Sequence, residues 1–347
     1  MKHLLITGTT GFIGKSYVQS LITEGVEITI ISREESFEKT KNLFPEVNVL
    51  CLDLDKGDFS DFDMKNLSSV TDVVHIAGGY DIEMSFKEAY ESNILVSQNL
   101  IHLIQKFKTP PMVHLVSSFS VVGNKNNQTY SEDDLCLNEK RMSSYSYSKA
   151  KVEEAFRSFS KRTNIKIRIY RPGIVIETRE NKLMPKVDGP YYFSKALLNL
   201  KALIRHMVFL ALPFSKNASL PLVSIESLTK DLTHMTLNPE TEKLVSCYYL
   251  FPEIQVGVED LIRAFFQNLE IKIKLIALPK LNGLQKITNL FGVPDELFDF
   301  MFMKNTYAFS NMKKDFPHMD NERLCPNDIA RKILSSTPKK EIEVTNA

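Results

Sequence analysis

The 347-residue sequence predicts an α/β protein built on a doubly wound parallel sheet. Short apolar runs alternate with helical patterns through the first half of the chain, and a glycine-rich turn directly follows the first run. Strands that alternate with helices in this way form parallel βαβ units. After about residue 180 the alternation weakens, so we expect a smaller, mostly helical region there.

Six apolar runs in the first half are predicted to be strands. They are Lys2–Thr7, Val26–Ile31, Val47–Leu52, Val70–Ile76, Met112–Ser117 and Ile165–Tyr170. Helices are predicted from about Gly11 to Glu24, around Asn93–Ile104, and over the segment that contains Tyr145 and Lys149. Further along, Leu220–Ile225 and Tyr248–Phe251 have the pattern of strands, and Val258–Leu269 has that of an amphipathic helix.

These patterns divide the chain into regions. We expect residues 1–180 to form a nucleotide-binding domain that also carries the catalytic residues. Residues 181–335 would mainly bind substrate, with about 220–252 returning to the core of the first domain. The polar residues 336–347 are expected to be a frayed tail.

Composition excludes several classes of function. Lys plus Arg number 43 and Asp plus Glu number 42, so nothing suggests a nucleic-acid partner. The four cysteines lie far apart and show no metal-ligand spacing, so we expect reduced thiols and no metal site. The start MKHLLITG has the pattern of a strand and not of a secretory leader, so a cytoplasmic location is expected.

The longest apolar stretch is Ala196–Phe214, which Lys201, Arg205 and His206 interrupt. A membrane-spanning helix needs about 20 residues with few charges, so no transmembrane segment is predicted. The helical spacing of the apolar residues predicts an amphipathic helix that packs on the core. A lid over an apolar substrate and a surface in peripheral contact with a membrane remain as alternatives.

A glycine-rich turn between the first strand and the first helix predicts a phosphate-binding loop. Gly8 permits the tight turn, Gly11 allows the backbone to approach a pyrophosphate, and Gly14 allows close packing of helix on strand. The helix N-terminus favours the phosphate charge. This arrangement is the Rossmann-fold fingerprint. The predicted contacts of the loop are Gly8, Thr9, Thr10, Gly11, Phe12, Ile13 and Gly14.

The end of the second strand predicts which nicotinamide cofactor is bound. An acidic residue there would bond the ribose 2′-hydroxyl of NAD(H), but this chain has Ser32 and Arg33. Arginine pairs well with a 2′-phosphate, so the predicted cofactor is NADP(H). Glu34 and Glu35 follow but lie past the end of the predicted strand.

Other predicted cofactor contacts follow later strands. Asp53 and Leu54 come after the third strand, where an aspartate can meet adenine. After the fourth strand, small residues leave room for the cofactor. The remaining predicted contacts are Ala77, Gly78, Gly79, Asn93, Pro172, Gly173 and Ile174.

The stretch 145–149 predicts acid–base chemistry. A tyrosine and a lysine four residues apart lie on one helix face, and the lysine charge lowers the tyrosine pKa so that the phenol can exchange a proton near neutral pH. The spacing occurs twice, as Tyr145/Lys149 and as Tyr147/Lys151. Spacing alone does not choose between the two pairs.

In order along the chain, the glycine loop, Asp53, His75–Gly79, Asn93 and the Tyr-x-x-x-Lys stretch resemble the extended short-chain dehydrogenase/reductases of the NAD-dependent epimerase/dehydratase superfamily. That resemblance implies a catalytic set of serine, tyrosine and lysine. Matching Ser117–Gly123 to the serine segment of the family assigns Ser118, although Val122 stands where a tyrosine is usual. Ser148 and Glu153 fit the family pattern around Tyr145 and Lys149, which selects that pair.

The second half resembles bacterial fatty acyl-CoA reductases and thioester-reductase-like proteins at Asp188–Phe193 and Leu324–Pro326. This resemblance implies NADPH-dependent reduction of a fatty acyl thioester, a small-molecule substrate, to aldehyde or alcohol. Apolar walls for the acyl chain would come from Ala196–Phe214 and Leu297–Phe309, although ordinary core is the alternative for both. Helices of this fold often pair subunits, which leaves a homodimer open.

Two other functions fit the same motifs. The first is an enzyme of the same branch acting on a nucleotide-sugar, a sterol or a small ketone. The second is a non-catalytic NADP-binding regulator, although such proteins often lack the tyrosine or the lysine.

Overall fold

The structure is a computed structural model that describes residues 2–60, 62–81, 83–123, 127–179, 182, 184, 189–238, 243–281, 294–319 and 324–337. Most of the predicted tail at 336–347 lies outside the described residues. So do residues 185–188, which include the start of the stretch that resembles acyl reductases.

A seven-stranded sheet forms the centre of the molecule, and every neighbouring pair in it is parallel. Its strands are β1 (His3–Thr7), β2 (Glu27–Ser32), β3 (Asn48–Cys51), β4 (Asp72–His75), β5 (Met112–Val116), β7 (Ile167–Pro172) and β12 (Val245–Leu250). Their order across the sheet is β12-β7-β5-β4-β1-β2-β3. The predicted doubly wound α/β fold is confirmed.

Shorter strands pair outside this sheet. They are β6 (Thr129–Tyr130), β8 (Ile174–Ile176), β9 (Phe209–Pro213), β10 (Ser219–Leu220), β11 (Leu222–Ser224), β13 (Val256–Gly257), β14 (Lys274–Leu278) and β15 (Thr306–Tyr307). They form the two-stranded pairs β8–β11, β9–β14, β10–β13 and β6–β15.

Helices cover both faces of the sheet. They are α1 (Phe12–Ile22), α2 (Phe37–Leu43), α3 (Phe86–Ala89), α4 (Val96–Ile104), α5 (Ser144–Thr163), α6 (Pro190–Ile204), α7 (Ile225–Leu237), α8 (Val258–Asn268), α9 (Asp295–Phe300), α10 (Ser310–Asp315) and α11 (Pro326–Ser336). A π-helical turn, Tyr90–Leu95, joins α3 to α4 without a break.

The sheet separates two apolar cores. Successive side chains of a strand point to opposite faces, so Leu4 and Ile6 pack in one core while Leu5 packs in the other. The first core contains α1, α7 and the C-terminal elements, and the second contains α4 and α5. Burial on both faces explains why the central strands are almost continuously apolar.

The predicted helix over Ala196–Phe214 is wrong in its second half. Helix α6 ends at Ile204, and Phe209–Pro213 is strand β9. Along β9 the exposed Phe209 and Ala211 alternate with partly buried residues, which is the two-residue period of a strand. Its partner β14 lies more than 60 residues later in the chain, so local spacing could not reveal this pairing.

Candidate active site

A cleft of about 1870 Å³ opens at the carboxyl ends of the central strands. The last residues of β1, β2, β5 and β7 all line it: Thr7, Ser32, Val116 and Pro172. Open parallel sheets bind ligands at this edge because the strand–helix connections leave a crevice there. The cleft is therefore the candidate active site.

All seven residues of the glycine loop, Gly8 to Gly14, line the cleft. Gly8 has a φ of +79°, and a Cβ there would lie 2.4 Å from the Ala77 nitrogen. A Cβ at Gly14 would lie 2.2 Å from the Gly8 oxygen. Helix α1 begins after Gly11 with no side-chain cap and no acidic residue in its first turn. The loop thus offers a backbone cradle with a positive helix end, which fits a dinucleotide pyrophosphate.

The end of β2 carries the residues predicted to choose the cofactor. Ser32 is buried, and its Oγ lies 3.0 Å from both Ser36 Oγ and Thr40 Oγ1. Arg33 lines the cleft with 56% of its side chain exposed, and its Nη1 donates to Asp55 Oδ2 at 3.3 Å. Asp55 also lines the cleft, and sequence reasoning missed it.

Asp53 occupies a different place from the predicted one. Its side chain does not line the cleft, whereas Leu54 does. The Asp53 carboxylate accepts from the Glu34 backbone N–H at 3.1 Å and from Lys56 Nζ at 2.7 Å. These bonds connect the turn after β2 to the turn after β3, so the Asp53 side chain stabilises the two turns in this structure.

Asn93 is also outside the cleft lining, although Ala77, Gly78 and Gly79 are within it. Asn93 is buried in the π-helical turn, and its Nδ2 donates to Ser148 Oγ at 2.8 Å. A Cβ at Gly78 would lie 2.7 Å from Asn93 Oδ1 and 3.1 Å from Lys149 Nζ. The missing side chain at Gly78 thus allows Asn93 and Lys149 to approach the strand end.

Lys149 is buried on the face of α5 that meets the sheet. Its Nζ donates to the Val116 carbonyl at 3.3 Å. Burial lowers the pKa of Lys149 to about 8, and the Glu153 carboxylate one turn later opposes that shift. Tyr145, one turn earlier, lines the cleft, and its ring meets the Tyr80 ring edge-on with centroids 4.7 Å apart.

Ser118 reaches the same cleft from the end of β5. It caps the short turn Phe119–Val122 by accepting from the Ser120 N–H at 3.2 Å, and its Oγ lies 2.9 Å from Ser120 Oγ. The structure therefore brings Ser118, Tyr145 and Lys149 together around one cavity. Pro172, Gly173 and Ile174 line it as well.

The alternative pair on α5 points elsewhere. Neither Tyr147 nor Lys151 lines the cleft. Lys151 forms an ion pair with Glu154 on the helix surface, and the Tyr147 ring lies 6.1 Å from the Phe86 ring. Ser148 is fully buried and donates to the Tyr145 carbonyl at 2.7 Å.

The far wall of the cleft is largely apolar. Apart from Phe119, its apolar residues come from Leu297–Phe309, one of the two segments predicted to hold an acyl chain. No residue of the other segment, Ala196–Phe214, lines the cleft. Other aromatic residues of Leu297–Phe309, such as Phe298 and Phe302, are buried. The apolar and aromatic wall residues of this segment are Leu297, Phe300, Met303 and Tyr307, and its polar residues Asp299 and Asn305 line the cleft as well.

Charged side chains stand around the rest of the lining. Four carboxylates follow β4 in the chain, and two lysines come from later segments. Lys280 Nζ donates to Asp299 Oδ1 at 2.6 Å. The carboxylates are Asp81, Glu83, Glu88 and Glu91, and the lysines are Lys140 and Lys280.

No helix within the described ranges is long and apolar enough to cross a membrane. Within those same ranges, no three or more His, Cys, Asp or Glu side chains cluster in a way that could hold a metal ion.

Residues 4–187 match the NAD dependent epimerase/dehydratase family, and the chain belongs to that family. It is an oxidoreductase of the extended short-chain type, whose family cofactor is a nicotinamide dinucleotide. The glycine cradle fits that cofactor, since Gly8 and Gly14 allow the tight turn and the close packing of the helix, and a Cβ at Gly11 would meet only the Gly8 oxygen at 3.4 Å, which leaves the loop backbone open to the cleft.

Part of the chain is similar to fatty acyl-CoA reductase 2 of Bos taurus. The identity is 27% over 146 residues, which cover 34% of this chain and 28% of the bovine protein. The Homo sapiens protein of the same name is 25% identical over 146 residues, with the same coverage. The chain thus matches less than a third of the length of these relatives.

Two solved structures share the fold. The terminal R domain from the myxalamid PKS-NRPS biosynthetic pathway superposes with a TM-score of 0.74, at 16% identity, over 96% of this chain and 90% of that one. UDP-glucose 4-epimerase from Bifidobacterium longum, solved with NAD+ and UDP, gives a TM-score of 0.66, at 16% identity, over 96% and 98% of the two chains.

Proposed function

We propose that the protein is an NADPH-dependent reductase of a fatty acyl thioester, which it converts to an aldehyde or an alcohol. The observation that carries this proposal is the position of Tyr145 and the buried Lys149 in a cleft whose far wall contains Phe119, Phe300 and Met303. An acyl chain would pack on that wall with its carbonyl toward the tyrosine. The partial similarity to acyl-CoA reductases agrees with this substrate class.

The cofactor would lie along the carboxyl ends of the strands. The glycine loop would hold its pyrophosphate, Arg33 its 2′-phosphate, and Lys149 its nicotinamide ribose. Bound there, the nicotinamide supplies the hydride that the carbonyl carbon accepts. Small residues at Ala77–Gly79 and at Gly173 leave space for it, and Pro172 and Ile174 line the cleft beside Gly173.

The side chains of this protein would manage the proton and the developing charge. Tyr145 donates its phenolic proton to the carbonyl oxygen as negative charge grows there. Ser118 donates a hydrogen bond to the same oxygen. The Lys149 charge favours the phenolate that remains on Tyr145. Breaking the C–S bond of the reduced thioester then releases the thiol and leaves the aldehyde.

A nucleotide-sugar substrate is less well supported. A sugar nucleotide carries two phosphate charges, which arginines bind well. Arg33 is the single arginine among the described residues that line the cleft, and the proposed cofactor already occupies it. The four carboxylates of the lining would also repel a diphosphate that lies next to the reacting carbon, as it does in a sugar nucleotide, whereas the pantetheine arm of an acyl-CoA keeps its diphosphate far from the thioester.

The test is NADPH oxidation by the purified protein with acyl-CoA thioesters of increasing chain length. Wild type should turn over long-chain thioesters, and Tyr145→Phe should lose at least about a hundredfold in rate. Tyr147→Phe is the matched control and should keep wild-type activity. Turnover of ketones or UDP-sugars but of no thioester would contradict the substrate, and equal rates for wild type and Tyr145→Phe would contradict the role of Tyr145.

A further inference from the structure

An exposed apolar patch lies on the C-terminal region, around the pair β9–β14. Six of the thirteen large apolar side chains that stand exposed among the described residues belong to these two strands or to the few residues beside them in the chain. Val208 is 81% exposed, Leu203 64% and Phe209 58%. We call this patch the β9–β14 surface, and its members are Leu203, Met207, Val208, Phe209, Ile276 and Leu281.

The local structure explains why these side chains face outward. Strand β9 pairs in parallel with β14, with Phe209 opposite Lys274 and Ala211 opposite Ile276. Leu210 and Leu275 on the inner face pack against the core. The outer face of this two-stranded sheet therefore presents Phe209 and Ile276, which are 58% and 39% exposed. Contiguous exposed apolar side chains of this kind mark an interaction site.

The two segments that build the patch carry only positive charges, although Glu270 precedes the second segment and Asp299 pairs with Lys280. Residues 190–225 and 271–281, which build the surface, contain no Asp or Glu, although the chain has 42 of them. Lys201, Arg205, Lys272 and Lys274 are exposed and form no ion pair with the described residues. The seven basic residues of the two segments are Lys195, Lys201, Arg205, Lys216, Lys272, Lys274 and Lys280.

We propose that the β9–β14 surface docks the protein on membranes that contain anionic phospholipids. Apolar side chains ringed by Lys and Arg are the pattern of an interfacial surface, where the apolar residues enter the acyl boundary and the cations contact headgroup phosphates. A second copy of this chain fits less well. A two-fold contact through this patch would place like charges against each other.

Docking at this surface would bring the cleft close to the lipid. Lys280 lies two residues after the end of β14, lines the cleft, and donates a hydrogen bond to Asp299 on the cleft wall. The backbone after β9 also holds that wall, since the Ser215 N–H donates to the Met301 carbonyl at 2.9 Å and the Ser219 N–H donates to the Met303 carbonyl at 3.0 Å. A membrane at this surface would thus lie next to the elements that build the cleft wall.

The test is sedimentation of the full chain with lipid vesicles. Wild type should bind vesicles in which roughly a third of the phosphatidylcholine is replaced by phosphatidylglycerol, and should bind pure phosphatidylcholine much more weakly. High salt should weaken the binding, because salt screens the exposed charges. Absence of binding to the anionic vesicles would overturn the proposal.

Two double variants test whether the β9–β14 surface makes the contact with the vesicles. Val208→Asp with Phe209→Asp, and separately Lys201→Glu with Lys274→Glu, should each reduce vesicle binding by about tenfold or more. All four positions are exposed, so the thermal midpoint should stay close to that of wild type, which shows that folding is kept.

Ile254→Asp is the matched control, since Ile254 is 61% exposed and lies beside the acidic Glu253 but is not one of the six residues of the β9–β14 surface. It should bind vesicles as wild type does. Equal binding by wild type and both double variants would overturn the proposal. A dimer that these variants dissociate, with no vesicle binding by any form, would show that the surface is a contact between copies and would equally overturn it.

Discussion

Glu153 and Arg171 form a two-pronged ion pair that joins α5 to β7, and neither side chain is exposed at all. Arg171 Nε and Nη2 donate to the two carboxylate oxygens of Glu153 at 2.9 and 2.8 Å. Burial alone would raise the pKa of Glu153, but the Arg171 guanidinium holds it below its usual range. Since Glu153 lies one turn after Lys149, the pair sets how the helix that carries Lys149 sits on the sheet.

We predict that Glu153→Gln destabilises the protein by about 3–5 kcal/mol, because it leaves the buried Arg171 charge without a counter-charge. Urea denaturation measures the change. Glu259→Gln is the control, since Glu259 pairs with Arg263, whose side chain is half exposed, and should cost less than about 1 kcal/mol. Equal losses in the two variants would show that the buried pair contributes no more than a surface pair.

The reductase rate should fall as the pH rises above about 8, the pKa to which burial lowers Lys149. Below that value Lys149 is charged and favours the Tyr145 phenolate; above it the charge is lost, and kcat/KM should decline about tenfold per pH unit. His75 should cause no change in kcat/KM near neutral pH, because burial lowers the pKa of His75 to about 3.

A pH–rate profile of wild type checks this prediction, with Lys151→Ala as control because Lys151 pairs with Glu154 at the surface. The control should keep the same descending limb. A rate that stays flat from pH 7 to about pH 10 would mean that the Lys149 charge is not needed.

Tyr80 should position Tyr145, since the two rings meet edge-on at 4.7 Å within the cleft. Such contacts contribute roughly 0.5–1.5 kcal/mol, so Tyr80→Ala should lower kcat about two- to tenfold, and Tyr80→Phe should restore most of it. Phe86→Ala is the control, because Phe86 is similarly exposed but meets Tyr147 instead. Equal loss in Tyr80→Ala and Phe86→Ala would argue against a specific contact with Tyr145.

Cofactor choice should depend on Arg33 and Asp55 with opposite signs. Arg33→Ala should weaken NADPH binding by about tenfold or more while it leaves NADH binding nearly unchanged, because it removes a charged partner of the 2′-phosphate. Asp55→Asn should strengthen NADPH binding, since Asp55 competes for Arg33 at 3.3 Å. Fluorescence titration with both cofactors measures this, and wild type that binds NADH as tightly as NADPH would contradict it.

Patterns that extend over a few neighbouring residues were sufficient to predict the fold class and part of the candidate site. The glycine loop depends on close backbone contacts that only glycine permits, so spacing at positions 8, 11 and 14 was enough to place it. The face shared by Tyr145 and Lys149 follows from helix geometry. The strands buried on both faces were visible as continuous apolar runs.

Contacts between distant segments set the remaining features. Asp53 and Asp55 both follow β3. Asp53 bonds to Glu34 and Lys56, whereas Asp55 is the carboxylate that lines the cleft, and the sequence does not show which of the two takes which position. In the same way, Phe300 lines the cleft while Phe298 packs inward, a difference that composition does not show. Strand β9 needed its distant partner β14 before its backbone could form a sheet.

The π-helical turn Tyr90–Leu95 gives its segment one place where the length of the chain can change. A π turn holds one residue more than an α turn, so deleting a single residue there would produce a regular helix. The helix on either side would keep its orientation, because the π turn accommodates the extra residue without rotating what precedes it, and Glu88 would stay at the cleft. A deletion within the regular helix α4 would instead rotate everything before it by about 100°. Libraries of variants should therefore tolerate single-residue deletions at Tyr90 or Glu91 far better than deletions within Val96–Ile104.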